Sequence, residues 1–171
     1  MFTLQPDFVF KTFDEVTVDF LKENNINGMI LDIDNTLEPY EHPFPGEHVK
    51  AWLFELRAAG IGVAFVSNNN KERVETFNKE LGFVAFSKAK KPFKKNVLKA
   101  IELIGSTPNR AMIMGDQVFT DVWAAKNAKI RSALVPPIND KKDLFTRFKR
   151  ILEKPILKKY ERRKARGNNN G

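Results

Sequence analysis

Gly28-Met-Ile-Leu-Asp-Ile-Asp-Asn-Thr-Leu37 is the stretch on which the fold of this chain turns. Residues 28–33 are a short apolar run of the kind that fills a buried strand, and two carboxylates, Asp32 and Asp34, stand at its end. In an extended strand, positions two apart share a face. At a strand's C-terminal end the chain leaves that alternation. Both carboxylates are therefore expected to turn toward one point in the crevice where open α/β sheets bind ligands. Like charges at one point repel unless a cation or a proton intervenes. A hard cation with oxygen ligands is the simplest resolution, so the pair points to metal-assisted chemistry.

Outward from this run, apolar segments alternate with stretches of helical period, the pattern of βα units around a parallel sheet. Further strands are expected over 61–66, 83–86, 110–114 and 130–135. The spacing of Val49, Trp52, Leu53 and Leu56 predicts a helix over 46–59 that Gly60 ends. Other helices are expected over 13–24, 71–81, 92–104 and 118–127, with Pro92 in a first turn. Trp52 and Trp123 fall at helical apolar positions and are expected in the core, whereas His42 and His48 flank a proline-rich turn and are expected at the surface. From Asp140 the pattern is helical again, with Leu144, Phe145, Phe148, Ile151 and Leu152 on one face, and Pro155 should break or kink it.

Four features fall after expected strands or at helix starts: Asp32-Ile-Asp-Asn-Thr36, Ser67, Lys91 and Gly115-Asp-Gln-Val-Phe-Thr-Asp121. A parallel sheet puts all its strand C-termini on one edge, so these widely separated residues converge there. Each has a plain alternative when taken alone. Turn aspartates cap helices, Ser67-Asn-Asn-Asn70 reads equally as a helix cap, and Lys91 sits in a lysine run with Lys88, Lys90, Lys94 and Lys95. It is the ordered set, each member at a strand end, that carries a functional reading.

In that order the set resembles the haloacid dehalogenase superfamily of phosphatases over roughly residues 28–137. Asp-Asn-Thr-Leu, Gly-Asp-Gln-x-x-Thr-Asp and Val-Pro-Pro-Ile resemble its YqeG-type branch (subfamily IIIA), which is itself similar to phosphatidylglycerophosphate phosphatases. The superfamily usually carries Gly where this chain has Asn35. The resemblance implies a doubly wound, Rossmann-like three-layer core and an Mg²⁺-dependent phosphomonoester hydrolase. Asp32 would be the nucleophile, giving an aspartyl-phosphate, and Asp34 the general acid and then base. Mg²⁺ would be held by the Asp32 and Asp116 side chains and the Asp34 carbonyl. Ser67, Asn68 and Lys91 would hold the phosphate, with Thr36 and Asp121 in support.

Size and composition agree with one domain. The 171 residues suffice for a sizeable core, and residues 1–155 are expected to form it, with 156–171 as a partly disordered basic tail. The chain has no cysteine, which excludes disulfides, thiolate metal sites and a cysteine nucleophile. No apolar run reaches transmembrane length and no secretory leader is evident, so a cytoplasmic protein is expected, peripheral to the membrane's inner face. Twelve of the 29 Lys and Arg lie in residues 141–171 against three acidic residues, leaving 17 basic against 18 acidic in the rest. Such a segment attracts anionic membrane or RNA. The connections after Asp34 and Ser67 are too short for a cap domain. An open site suits a large or membrane-bound phosphorylated substrate, a lipid phosphate foremost. A phosphoprotein, a nucleic-acid end, or an RNA-binding role with a vestigial site stand as alternatives.

Overall fold

The structure, a computed structural model, describes residues 4–139 and 144–168, with side chains in the latter stretch from Glu153 to Gly167. Six strands form one parallel sheet: β1 (Phe8–Val9), β2 (Gly28–Leu31), β3 (Gly62–Val66), β4 (Val84–Phe86), β5 (Ala111–Gly115) and β6 (Arg131–Leu134). Their order is β1-β6-β5-β2-β3-β4. The chain winds outward from β2 to β3 and β4, then crosses back to β5 on the other side of β2. The direction of winding reverses beside β2, which is where doubly wound sheets open a crevice.

Alternation along the strands divides the interior into two layers. Met29, Leu31, Val63, Phe65, Met112 and Met114 face one side, packing with Trp52, Leu53 and Leu56 of α2 (Glu47–Ala58) and with Val74 and Phe77 of α3 (Lys71–Asn78). Ile30, Ala64, Val66 and Ile113 face the other. There they meet α4 (Lys95–Leu103) and the alanines of α5 (Trp123–Ala128). The expected three-layer, capless α/β fold is therefore present.

Several local expectations need correction. The N-terminal helix is a 3₁₀ turn over Phe13–Glu15 followed by α1 (Val18–Glu23), because the Thr17 hydroxyl accepts from Phe20 N at 3.1 Å and starts the helix there. Pro92 does not open a helix. It follows a cis Lys91–Pro92 bond, and α4 starts at Lys95. Residues Val118–Val122 form a π-helical turn ahead of α5. Trp123 is on the surface, because Asp121, Val122, Ala124 and Ala125 occupy the inward side of that turn. Strand β1, absent from the sequence reading, pairs Phe8 with Ala133 and Val9 with Leu134. Two residues carry no period, so nothing in the sequence marked it.

Pro155 does not break the last helix, α6 (Leu144–Asn168). A proline forfeits one helix hydrogen bond, whereas the turns around it are fixed laterally. Glu153 Oε1 accepts from Val118 N at 3.0 Å, and Ile156 and Leu157 pack on Val118, Val122 and Leu134. The expected apolar face over 144–152 and the last three residues lie outside the described side chains. Among the described residues no helix is long and apolar enough to cross a membrane.

Candidate active site

Strand β2 stops at Leu31, and the chain immediately curls: Thr36 N and Leu37 N both bond back to Ile33 O. Within that turn Asn35 has φ of 60°. This is the left-handed region that glycine and asparagine tolerate best, which explains Asn35 in a position where glycine is usual. The curl also ends the alternation, so Asp32 and Asp34 part company instead of converging.

Asp32 goes down into the floor of the crevice. Its Oδ1 accepts from Lys91 Nζ at 2.9 Å, and the same ammonium donates to Asp121 Oδ1 at 2.6 Å. Asp116, at the end of β5, completes a trio with Asp32 and Asp121 whose oxygens lie within 4.8 Å of one another, all three buried. The Thr36 hydroxyl sits between the Asp32 and Asp116 carboxylates, 3.5 and 3.4 Å away. Lys91 is buried, whereas Lys88, Lys90, Lys94 and Lys95 are all exposed. The lysine run thus resolves into one inward cation and four outward ones.

Burial pushes the Asp32 carboxyl up to about 8, against the attraction of Lys91 and with the repulsion of Asp121 and Asp116. Desolvation opposes the Lys91 charge, yet Asp121 and Asp32 outweigh it and hold the ammonium well above its ordinary range. Three buried carboxylates gather beside one lysine, and like charges at such a point are costly unless a cation or a proton intervenes. A hard divalent cation fits this all-oxygen donor set, and Asp32, Asp116 and Asp121 are the side chains that would surround it.

Asp34 turns outward instead. Its Oδ1 accepts from Arg73 Nε at 2.9 Å and its Oδ2 from Asn69 Nδ2 at 2.8 Å. Arg73 also donates to Pro43 O at 2.9 Å, tying the loop after β2 to the first turn of α3. Neither Asn69 nor Arg73 was expected at the site. Asn69 sits two residues after Ser67, which was a usable signal. Arg73 was one surface-type charge among many, and only the fold brings it to Asp34.

Ser67 lies at the end of β3, buried, with its Oγ accepting from Asn69 N at 3.1 Å. Asn68 also holds Lys91 in place. Its amide pairs with the Lys91 backbone, Oδ1 accepting from Lys91 N at 2.7 Å and Nδ2 donating to Lys91 O at 3.1 Å. The two meet because both loops leave neighbouring strands at one edge. Gly115 has a steric reason. A Cβ there would come within 2.1 Å of Asp121 Cγ, so only glycine lets that carboxylate reach Lys91.

The sheet, its winding and this edge define a class. The chain belongs to the haloacid dehalogenase-like hydrolases, a family matched by its residues 9–135. Within that family it is similar to the probable phosphatase YqeG of Bacillus subtilis (strain 168), with 34% identity over 158 residues covering 92% of each chain. Two solved structures share the fold. The cobalt-bound deoxy-D-mannose-octulosonate 8-phosphate phosphatase of Haemophilus influenzae matches with a TM-score of 0.54 and 19% identity, over 67% of this chain and 70% of that one. CbbY of Rhodobacter sphaeroides, in complex with phosphate, matches with a TM-score of 0.54 and 14% identity, over 70% and 90%.

Proposed function

We propose that this phosphatase of the haloacid dehalogenase type is an Mg²⁺-dependent phosphomonoester hydrolase acting through an aspartyl-phosphate. The observation that carries the reading is the floor itself: Asp32 bonded to Lys91 and set among Asp116 and Asp121 at the sheet's C-terminal edge. Asp32 attacks phosphorus and displaces an alcohol, whose oxygen takes a proton from Asp34. Water then attacks the same phosphorus, Asp34 accepts its proton, and inorganic phosphate leaves with Asp32 restored. To serve in both steps Asp34 swings from Arg73 and Asn69 toward the leaving oxygen. Lys91 and Ser67 stabilise charge on the phosphoryl oxygens. Bound Mg²⁺ would offset the repulsion between a carboxylate nucleophile and an anionic ester.

The substrate we infer is a lipid phosphate such as phosphatidylglycerophosphate. A groove of about 730 Å³ runs from Asp116 between the β6 end and α6, lined by Phe10, Leu134, Val135, Leu157 and Tyr160. Its apolar walls suit a hydrocarbon body attached to a phosphate, a division of labour common in ligand sites. The test is phosphate release from a soluble aryl phosphate with Mg²⁺, then turnover of vesicle-embedded lipid phosphate against a phosphopeptide and 5′-phosphorylated RNA. Equal activity in Asp32→Asn ends the mechanism. Preference for the peptide or the RNA ends the lipid assignment alone.

A further inference from the structure

Among the described residues, several large exposed apolar side chains stand on loops at one edge of the sheet, whereas Phe54 on α2 and Leu103 at the far end of α4 lie away from it. Phe44, in the loop after β2, is 58% exposed; Phe93, in the loop after β4, is 70% exposed; Ile138, after β6, is 46% exposed. All three loops leave the sheet at the edge that bears Asp32. Hydrogen bonds fix their places around it. Ile138 N donates to Asn35 O, between Asp34 and Thr36. Phe44 follows Pro43, whose carbonyl accepts from the Arg73 that also holds Asp34. Phe93 stands two residues beyond Lys91. An apolar rim thus surrounds the mouth of a charged site.

The loop after β4 also carries charge, all of one sign. In Lys88-Ala-Lys-Lys-Pro-Phe-Lys-Lys95, Lys91 turns inward while Lys88, Lys90, Lys94 and Lys95 are exposed around Phe93. Lys88 and Lys90 adopt φ of 45° and 56°, on either side of the buried Ala89. That loop has no acid, and Glu41 is the one exposed acidic residue among the described parts of the three loops. A second copy of the chain would set lysines against lysines. A surface that is anionic outside and apolar a few ångströms deeper complements both features.

We propose that the catalytic edge is a membrane-docking face, on which Phe93 enters the headgroup boundary of an anionic bilayer and the four outward lysines meet the lipid phosphates. The proposal rests on the phosphatase reading, since docking of this kind presents headgroup phosphates to Asp32 and Lys91. It differs from an attachment through α6, where Lys158, Lys159, Arg162, Arg163 and Arg166 border a separate cleft of about 660 Å³ with the buried Gln5. Among the described side chains of that helix, Ile156 and Leu157 pack inward on Val118, Val122 and Leu134.

The experiment is co-sedimentation of the full chain with phosphatidylcholine vesicles with and without phosphatidylglycerol. Parallel samples carry Phe93→Ser, the pair Lys94→Gln and Lys95→Gln, and the α6 pair Lys158→Gln and Arg162→Gln. The expected result is binding to anionic vesicles only, weakened about tenfold by Phe93→Ser and about fivefold per lysine by the loop pair, with the α6 pair near wild type. Every variant should hydrolyse a soluble aryl phosphate at the wild-type rate. In Phe93→Trp, the indole emission should shift to the blue on anionic vesicles. Absence of wild-type binding, loss through the α6 pair alone, or retention on RNA in place of vesicles overturns the proposal. Binding without hydrolysis of any phosphate ester overturns the phosphatase reading and leaves the docking face standing.

Discussion

The floor and the rim of this site are built on opposite plans. The floor holds Asp32, Asp116, Asp121 and Lys91 almost without water, each fixed by another member or by Thr36. The rim holds Asp34, Asn69 and Arg73 partly covered, with the Arg73 and Asp34 side chains 9% and 18% exposed, together with loops that expose Phe44, Phe93 and Ile138. Desolvated charges are costly to leave unpaired, so changes in the floor should register in both stability and rate. The exposed rim lysines are screened, and changes to them should register in binding with the fold intact.

The sharpest break of that contrast is Asp32→Asn, which removes the proposed nucleophile. Phosphate release from a soluble aryl phosphate should fall by about 10³-fold or more, measured beside circular dichroism to show an intact fold. Lys91→Met comes next, since it strands Asp32 and Asp121 facing each other in a buried space. In chelator the variant should lose about 3–5 kcal/mol of unfolding free energy, and divalent cation should restore much of it; equal stability with and without metal refutes the cation site. Gly115→Ala should cost about 1–3 kcal/mol by overpacking and depress activity, because the methyl displaces the partner of Lys91. Arg73→Gln, on the rim, should lower kcat about tenfold through a loosened Asp34, with a thermal loss smaller than that of Lys91→Met because the pair is less deeply buried. A thermal loss as large as that of Lys91→Met would erase the distinction between floor and rim.

The floor also carries a pH dependence. The Asp32 carboxyl goes from 3.8 to about 8 on folding, chiefly through burial. Between those values the folded chain keeps a proton that the unfolded chain has lost, so this group's contribution to stability declines as pH rises through that window. The metal-free thermal midpoint should therefore fall from pH 5 toward pH 8 more steeply in the wild type than in Asp32→Asn. Divalent cation should flatten the wild-type curve.

The same contrast explains what the sequence disclosed. Floor residues sit at strand ends, where an apolar run followed by Asp, Ser or Gly-Asp marks both an element and its terminus, so Asp32, Ser67 and Asp116 were legible. Lys91 was legible only by order, since five lysines within eight residues look alike until burial separates them. Arg73 and Asn69 were not legible as partners of Asp34, because their meeting depends on how the loop after β2 lies over the start of α3. Asn68 was legible at this edge, but its bonds to the Lys91 backbone were not, as a side chain's hydrogen bonds follow from loop geometry that periodicity does not encode. The core alternation of β2, β3 and β5 was plain, whereas two-residue β1 and the π turn before α5 had no pattern long enough to read.

The bond from Val118 N to Glu153 Oε1 has a consequence for how the enzyme comes into being. Glu153 is synthesised 35 residues after Val118, the first residue of the π turn that carries Asp121. A nascent chain halted before α6 holds Asp32, Asp34, Lys91, Asp116 and Asp121 yet lacks the acceptor that seats this turn. Domains form as their segments emerge from the ribosome, so the floor is finished only when its late clasp arrives. Activity should begin with α6, after the sheet is complete, and a ribosome-stalled series of lengthening chains would time that event.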